Sequence, residues 1–290
     1  MLKLSTVAFG TAKFLYRATP LKSLRAIYFN MFLAAVRGSK TVTTVDGVTY
    51  ELDLGELIDV GLYLQQYELD VEEVIKRYCQ RGAYVLDIGA IIGAHALRCA
   101  KAVGNEGKVY AFEPTDYAYQ KLVRNIALNQ FANITPIHAA LSNANRKQQE
   151  IACRSSWQTN GRSSNAVSIV DFLRLDDWCG ENDVDRVDFI KMDVDGHEFE
   201  ILDGARGLLL RYHPLIVMEV GAWHFENPAA NPLLLLQQLG YRFWWVPSCQ
   251  PVAELTLVQS RLPSHDPQKT MSLNLIAAVA LPKPFTPQSH

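Results

Sequence analysis

The stretch Tyr84-Val-Leu-Asp-Ile-Gly-Ala-Ile-Ile-Gly93 constrains this chain more than any other. A short apolar run, Tyr84 to Ile88, ends in glycines and is followed by the small-residue segment Ala94 to Val103. That order predicts a buried strand, a tight turn and a helix start. Gly89 lets the backbone turn where a side chain would collide with a ligand, and Gly93 lets the helix N-terminus sit close to the strand. Glu113 follows 20 positions after Gly93 and closes a second apolar run, Lys108 to Phe112. An acid at the end of the second strand of a β-α-β unit can accept hydrogen bonds from ribose hydroxyls. The unit is therefore expected to hold a nucleoside-containing cofactor.

The missing residues narrow the choice. A dinucleotide fingerprint carries three glycines to admit a pyrophosphate, whereas here Ala90 and Ile91 leave only Gly89 and Gly93. A ligand without phosphates needs less backbone clearance and no anion at the helix N-terminus. Asp87 would repel a phosphate but accept a bond from a cationic or hydroxyl group. S-adenosylmethionine fits this pattern, with its ribose for Glu113 and its ammonium and sulfonium near acidic groups. An NAD-linked oxidoreductase and a nucleotide-binding module without catalytic activity are the competing readings.

Downstream, apolar runs alternate with helical patterns. Tyr84–Ile88, Lys108–Phe112, Ile134–His138, Val187–Met192, Leu215–Val220, Tyr241–Val246 and Ser272–Val279 read as strands. Ala94–Val103, Thr115–Asn129, Glu198–Arg211 and Pro232–Leu239 read as helices, the third with an apolar stripe of Ile201, Leu202, Ala205, Leu208 and Leu209. Such alternation implies an α/β fold with a mostly parallel sheet and helices on both faces. No helical pattern separates the last two strands, so they are expected to pair antiparallel at one edge. Upstream, Asp46-Gly47 predicts a hairpin within residues 41–54, followed by helices at Glu56–Leu64 and Val71–Tyr78. Residues 143 to 175 form a polar stretch, and Pro282, Pro284 and Pro287 mark a loose tail. The expected division is a helical extension over 1–40, a strand-and-helix segment over 41–80, the catalytic domain over 81–281 and the tail over 282–290.

Charge sets the beginning apart. Residues 1–45 hold seven basic side chains (Lys3, Lys13, Arg17, Lys22, Arg25, Arg37 and Lys40) and no acid, while the remainder carries −9. Thr19-Pro20 predicts a helix start. Leu21, Leu24, Tyr28, Met31 and Ala35 then share one face, with Ile27 and Phe32 beside them. Residues 1–38 are expected to cover their own domain, to join a homo-oligomer, or to make a peripheral membrane contact. The five cysteines are scattered without a C-x-x-C pair, which argues against a disulfide framework or a zinc site and for a reducing, cytoplasmic setting. Neither a spanning helix nor a signal peptide is expected. Nucleic acid is not an expected partner.

Three separated segments together resemble one family. They are Val85-Leu-Asp-Ile-Gly-Ala-Ile-Ile-Gly93, Ala111-Phe-Glu-Pro114, and Val187 to Glu198 with Leu202-Asp-Gly-Ala205. Leu175-Asp-Asp177, Tyr50-Glu-Leu-Asp-Leu54 and Tyr63 to Glu68 match as well, so the likeness to the FkbM-family methyltransferases covers roughly residues 48 to 222. Ile91 stands where the family commonly has Asn, and Asp195 where it commonly has Glu. The resemblance implies a class I, Rossmann-like methyltransferase fold and methyl transfer from S-adenosylmethionine, usually to a hydroxyl of a sugar or natural product. It also implies a cofactor site of Asp87, Gly89, Ala90, Gly93, Glu113 and Pro114, with Ala140 beyond the next strand.

Ligands bind beyond the carboxyl ends of the strands of such a sheet, which puts Asp87, Glu113, His138, Asp193 and Glu219 at one rim. Asp193-Val-Asp-Gly-His197 brings two carboxylates and an imidazole to a strand-helix junction. Asp193, Asp195, His197 and, after the next strand, His224 are the candidate bases for a hydroxyl acceptor. Alternatively Asp193 and Glu219 hold a divalent cation such as magnesium that acidifies it. Asp195 and His197 as mere helix caps, and His224 as an exposed loop residue, are the plainer alternatives. The Ser155–Ser164 segment, with Trp157 as a stacking face and Arg162 as a charge, is expected either to fold over a small-molecule or carbohydrate acceptor or to form a surface hairpin.

Overall fold

The computed structural model describes residues 22–36, 38–155, 164–262 and 272–283. The Thr19-Pro20 start, the Trp157 and Arg162 segment and most of the proline tail lie outside these residues. The described chain forms two compact units. One holds the described residues up to Tyr67 and those between Ala152 and Val167, and the other the remainder from Glu68 onward.

In the smaller unit, helix α1 (Lys22–Val36) precedes an antiparallel hairpin, β1 (Lys40–Val45) and β2 (Val48–Asp53), and helix α2 (Leu57–Leu64). Asp46 and Gly47 turn the hairpin with φ of 50° and 73°, the left-handed pair expected of a two-residue loop. Val48, Tyr50 and Leu52 alternate inward along β2. Helix α1 buries Phe32, stacked 5.7 Å from Tyr63, and Val36. Of the apolar face read from the sequence, Met31 is exposed, as is Ile27 beside it.

The larger unit is built on an eight-stranded sheet. Its strands are β3 (Tyr84–Ile88), β4 (Lys108–Phe112), β5 (Ile134–Ile137), β9 (Phe189–Met192), β10 (Leu215–Val220), β11 (Arg242–Trp245), β12 (Gln250–Pro251) and β13 (Leu273–Ala278). They lie in the order β12-β11-β13-β10-β9-β3-β4-β5. The five from β10 to β5 run parallel, and β13 runs antiparallel to both β10 and β11. The antiparallel closing strand is thus present, as the missing helical pattern led us to expect. A short helix, α10 (Leu255–Arg261), nevertheless lies between β11 and β13. Only Val258 of it is buried, which leaves too little periodicity to read.

Chain order reverses between β3 and β9. From β3 the chain steps outward to β4 and β5, then returns to the other side for β9 and β10. The crevice beyond their carboxyl ends is the switch point at which such sheets bind ligands. Helices α3 (Leu69–Tyr78), α4 (Ala94–Val103), α5 (Asp116–Ala127), α6 (Leu175–Glu181) and α9 (Pro232–Gln238) also belong to this unit. Ala94, Ala96, Cys99 and Ala100 of α4 are all buried, and such small side chains allow close packing.

One expectation fails here. The helix read as Glu198–Arg211 is two, α7 (Glu198–Asp203) and α8 (Arg206–Tyr212). At the break a Cβ on Gly204 would lie 2.2 Å from the Ser142 carbonyl oxygen, so the chain passes backbone to backbone there. Asp176, far away in sequence, caps the second piece by accepting the Gly207 and Leu208 N–H groups at 3.0 and 2.8 Å. The apolar stripe survives the break, because Ile201, Leu202, Ala205, Leu208 and Leu209 are all buried. The polar stretch contains β7 (Arg146–Ser155) and β8 (Ser164–Arg174), in a second sheet of order β6-β8-β7 with β6 (Ala140–Ser142). Its alternation was concealed because Ser168 points inward while Val167 and Ile169 are exposed.

Candidate active site

The turn after β3 is held by close backbone contacts. Gly89 and Ala90 donate their N–H groups to the Phe112 carbonyl at 3.1 and 2.9 Å, tying the turn to β4. Gly89 has φ of 80°, and a Cβ there would lie 2.0 Å from the Asp193 carbonyl oxygen at the end of β9. Gly93 has φ of 87°, and its missing Cβ makes room for Leu122 of α5. Ile91 takes φ of 51°, a left-handed conformation that a β-branched residue adopts only under constraint. The constraint is visible: its N–H donates to Glu113 Oε2 at 2.9 Å.

Glu113 is buried, and its other oxygen accepts the Thr115 N–H at 2.8 Å and the Thr115 hydroxyl at 2.6 Å. Burial pushes the carboxyl up, and the bonds from Thr115 and Ile91 oppose that rise. Three donors occupy a carboxylate with about four acceptor sites, so one lone pair remains for a ligand hydroxyl. Pro114 follows directly, between β4 and α5. Ala140 opens β6, paired with Phe172, rather than ending a strand of the large sheet.

Asp87 is fully buried, and neither of its carboxylate oxygens has a hydrogen-bond partner. Burial raises its pKa, with Lys191 as the main opposing influence. The Lys191 ammonium sits 3.8 Å from Asp87 and 3.7 Å from Asp193, and donates to the Gly89 carbonyl at 3.1 Å. Burial works against this ammonium, but Asp193 and Asp87 outweigh it and its pKa is raised. One buried cation therefore ties the glycine turn to the end of β9. Sequence reasoning passed over it, although a lone lysine in the run Phe189-Ile-Lys-Met192 is itself a signal: a strand buried on both faces does not carry an unpaired charge.

Beyond Lys191 the carboxylates of Asp193, Asp195 and Glu219 converge, each offering an oxygen within 4.8 Å of the others. Asp195 and Gly196 both have positive φ, 53° and 105°, which folds the loop back sharply after Asp193. Ser272 Oγ donates to Glu219. Burial, then the Asp193 charge, lift the Glu219 carboxyl to about 8. A group of three acids that close holds either a proton or a cation at neutral pH.

The histidines lie elsewhere. His197 Nε2 is 3.1 Å from Ser142 Oγ, and its ring meets Phe172 edge-on, so it faces the second sheet. Its side chain makes no capping bond to α7. His224 is buried rather than an exposed loop residue, with Nε2 2.7 Å from Glu198. Its Nδ1 accepts the Gly221 N–H at 3.2 Å, and Nε2 is met both by the Trp223 indole N–H at 3.1 Å and by Glu198. The contact lowers the Glu198 pKa against the effect of burial. Glu198 also accepts the Val194 N–H at 3.3 Å, so the pair braces the loop carrying Asp193 and Asp195. His138 stacks on Tyr119 and lies 3.3 Å from Asp116. Behind the turn, buried His95 of α4 is 2.5 Å from Glu68, a pairing the sequence reading did not foresee.

The model of the methyltransferase FkbM domain matches residues 87–243. Among known proteins, the hexuronic acid methyltransferase AglP of Haloferax volcanii is 25% identical over 45% of this chain and 53% of its own length. The methyltransferase sdnD of Sordaria araneosa is 26% identical over 42% of this chain and 60% of its own. The chain thus spans a little over half the length of these relatives. Among solved structures, the methyltransferase FkbM of Methylobacillus flagellatus KT is 18% identical, covers 68% of this chain and 44% of its own, and superposes with a TM-score of 0.43.

Proposed function

The chain belongs to the methyltransferase FkbM domain family, and from that premise we propose that it transfers the methyl group of S-adenosylmethionine to a hydroxyl of a sugar or natural product. The observation that carries the cofactor reading is the pair of buried Asp87 oxygens without a hydrogen-bond donor beside a glycine turn, with a lone pair of Glu113 free on the next strand. Buried carboxylate oxygens without donors are costly, and a ligand's ammonium or hydroxyl groups satisfy them. The residues present fit the cofactor. Glu113 would hold its ribose, with Asp87, Gly89, Ala90 and Gly93 around its methionine portion. When bound, S-adenosylmethionine supplies a methyl group already activated on a sulfonium.

The rest of the work falls to the chain. Lys191 fixes the Gly89 carbonyl and the Asp193 carboxylate relative to each other, so that cofactor turn and acceptor rim keep one geometry. Asp193 takes the acceptor's proton as the new carbon-oxygen bond forms and passes it to solvent. The Glu198–His224 pair holds the loop in place. A second reading rests on the convergence of Asp193, Asp195 and Glu219: three carboxylates within 4.8 Å suit a divalent cation that would acidify the same hydroxyl. A carbohydrate acceptor is supported by the hexuronic acid named for the Haloferax volcanii relative.

Glu113→Ala should weaken S-adenosylhomocysteine binding by about 1–3 kcal/mol, the usual cost of removing a charged hydrogen-bond acceptor. Calorimetry on a variant with wild-type circular dichroism reads this directly, and undiminished affinity would remove Glu113 from the site.

A further inference from the structure

We propose that helix α1 docks on an anionic lipid surface through the face that carries Ile27 and Met31. The helix has two apolar sides. Phe32 and Val36 are 0% exposed, whereas Ile27 and Met31, one helical turn apart, are 53% and 60% exposed, with Ala34 exposed beside them. Large apolar side chains on one stripe of a helix mark a contact surface more often than isolated ones do.

Charge selects the occupant. Residues 1–45 carry +7 with no acid, against −9 on all that follows. A second copy meeting this face through a two-fold axis would set one +7 segment against another. An anionic bilayer attracts each basic residue, and the apolar face enters the headgroup boundary. The helix lies on such a surface rather than crossing it. Its 15 residues span about 22 Å against a hydrocarbon core of about 30 Å, and no described helix is long and apolar enough to cross.

The test uses the full chain with vesicles of pure phosphatidylcholine and of phosphatidylcholine with 30% phosphatidylglycerol, read by co-sedimentation. The expected result is at least about tenfold stronger partitioning into the anionic vesicles, lost at high salt. The double substitution Ile27→Glu/Met31→Glu should cut that partitioning at least about tenfold with an unchanged melting temperature. If that variant does not fold, Ile27→Ser/Met31→Ser gives the same comparison without new charge. The proposal is overturned by equal partitioning of folded variant and parent, by no preference for anionic vesicles, or by a vesicle-free dimer that the substitutions dissociate. None of these outcomes bears on cofactor binding.

Discussion

Asparagine at position 193 is expected to cut methyl transfer by about 10²–10⁴-fold while leaving S-adenosylhomocysteine affinity within a few-fold of the parent. Asp193 directly follows β9, next to the strand that carries the glycine turn, and its side chain retains 18% exposure. Asparagine keeps the shape and removes the proton acceptor. The acceptor hydroxyl ionises far above neutral pH, so without a base the attacking oxygen must carry its proton into the transition state. Turnover with a chelator, then with added magnesium, separates the two readings of the rim. Loss and recovery assign the step to a cation, and indifference assigns it to Asp193 as base. A folded Asp193→Asn protein that methylates at the parental rate would move the chemistry away from this rim.

The largest effect on stability is expected at Lys191. Methionine there fills a similar volume but leaves Asp87, fully buried, and Asp193 without their shared cation. Removing one partner of a buried charge cluster costs about 3–5 kcal/mol, because the remaining charge must stay buried unpaired or take up a proton. Urea unfolding should show this as a lower midpoint with an unchanged slope. Adding Asp87→Asn should recover much of the loss, since removing both members of a buried pair is close to neutral. A single variant that unfolds at the parental urea concentration would show that Lys191 does not hold the turn and the rim together.

The central sheet was legible because buried parallel strands are written as near-continuous apolar runs closed by glycine or acid, as in Tyr84–Ile88 and Lys108–Phe112. The candidate site was readable in part for the same reason: Asp87, Glu113, Asp193 and Glu219 stand at or next to the ends of such runs. What escaped was non-local. The break at Gly204 depends on Ser142 and Asp176, neither of which a helical window contains. The partners of the junction histidines, Ser142 for His197 and Glu198 for His224, likewise lie outside any local window. β8 was concealed by its own exposed Val167 and Ile169, which spoil the alternation a half-buried strand should show. Helix α1 showed an apolar face in sequence, but periodicity cannot say which of two apolar faces the fold covers.

Parallel calorimetric titration with S-adenosylhomocysteine and NAD tests the ligand of the Asp87–Gly93 turn most directly. Saturable binding of S-adenosylhomocysteine at one site per chain, with no measurable heat from NAD, is the predicted result. Saturable binding of NAD, or no binding of S-adenosylhomocysteine to the folded protein, would contradict it.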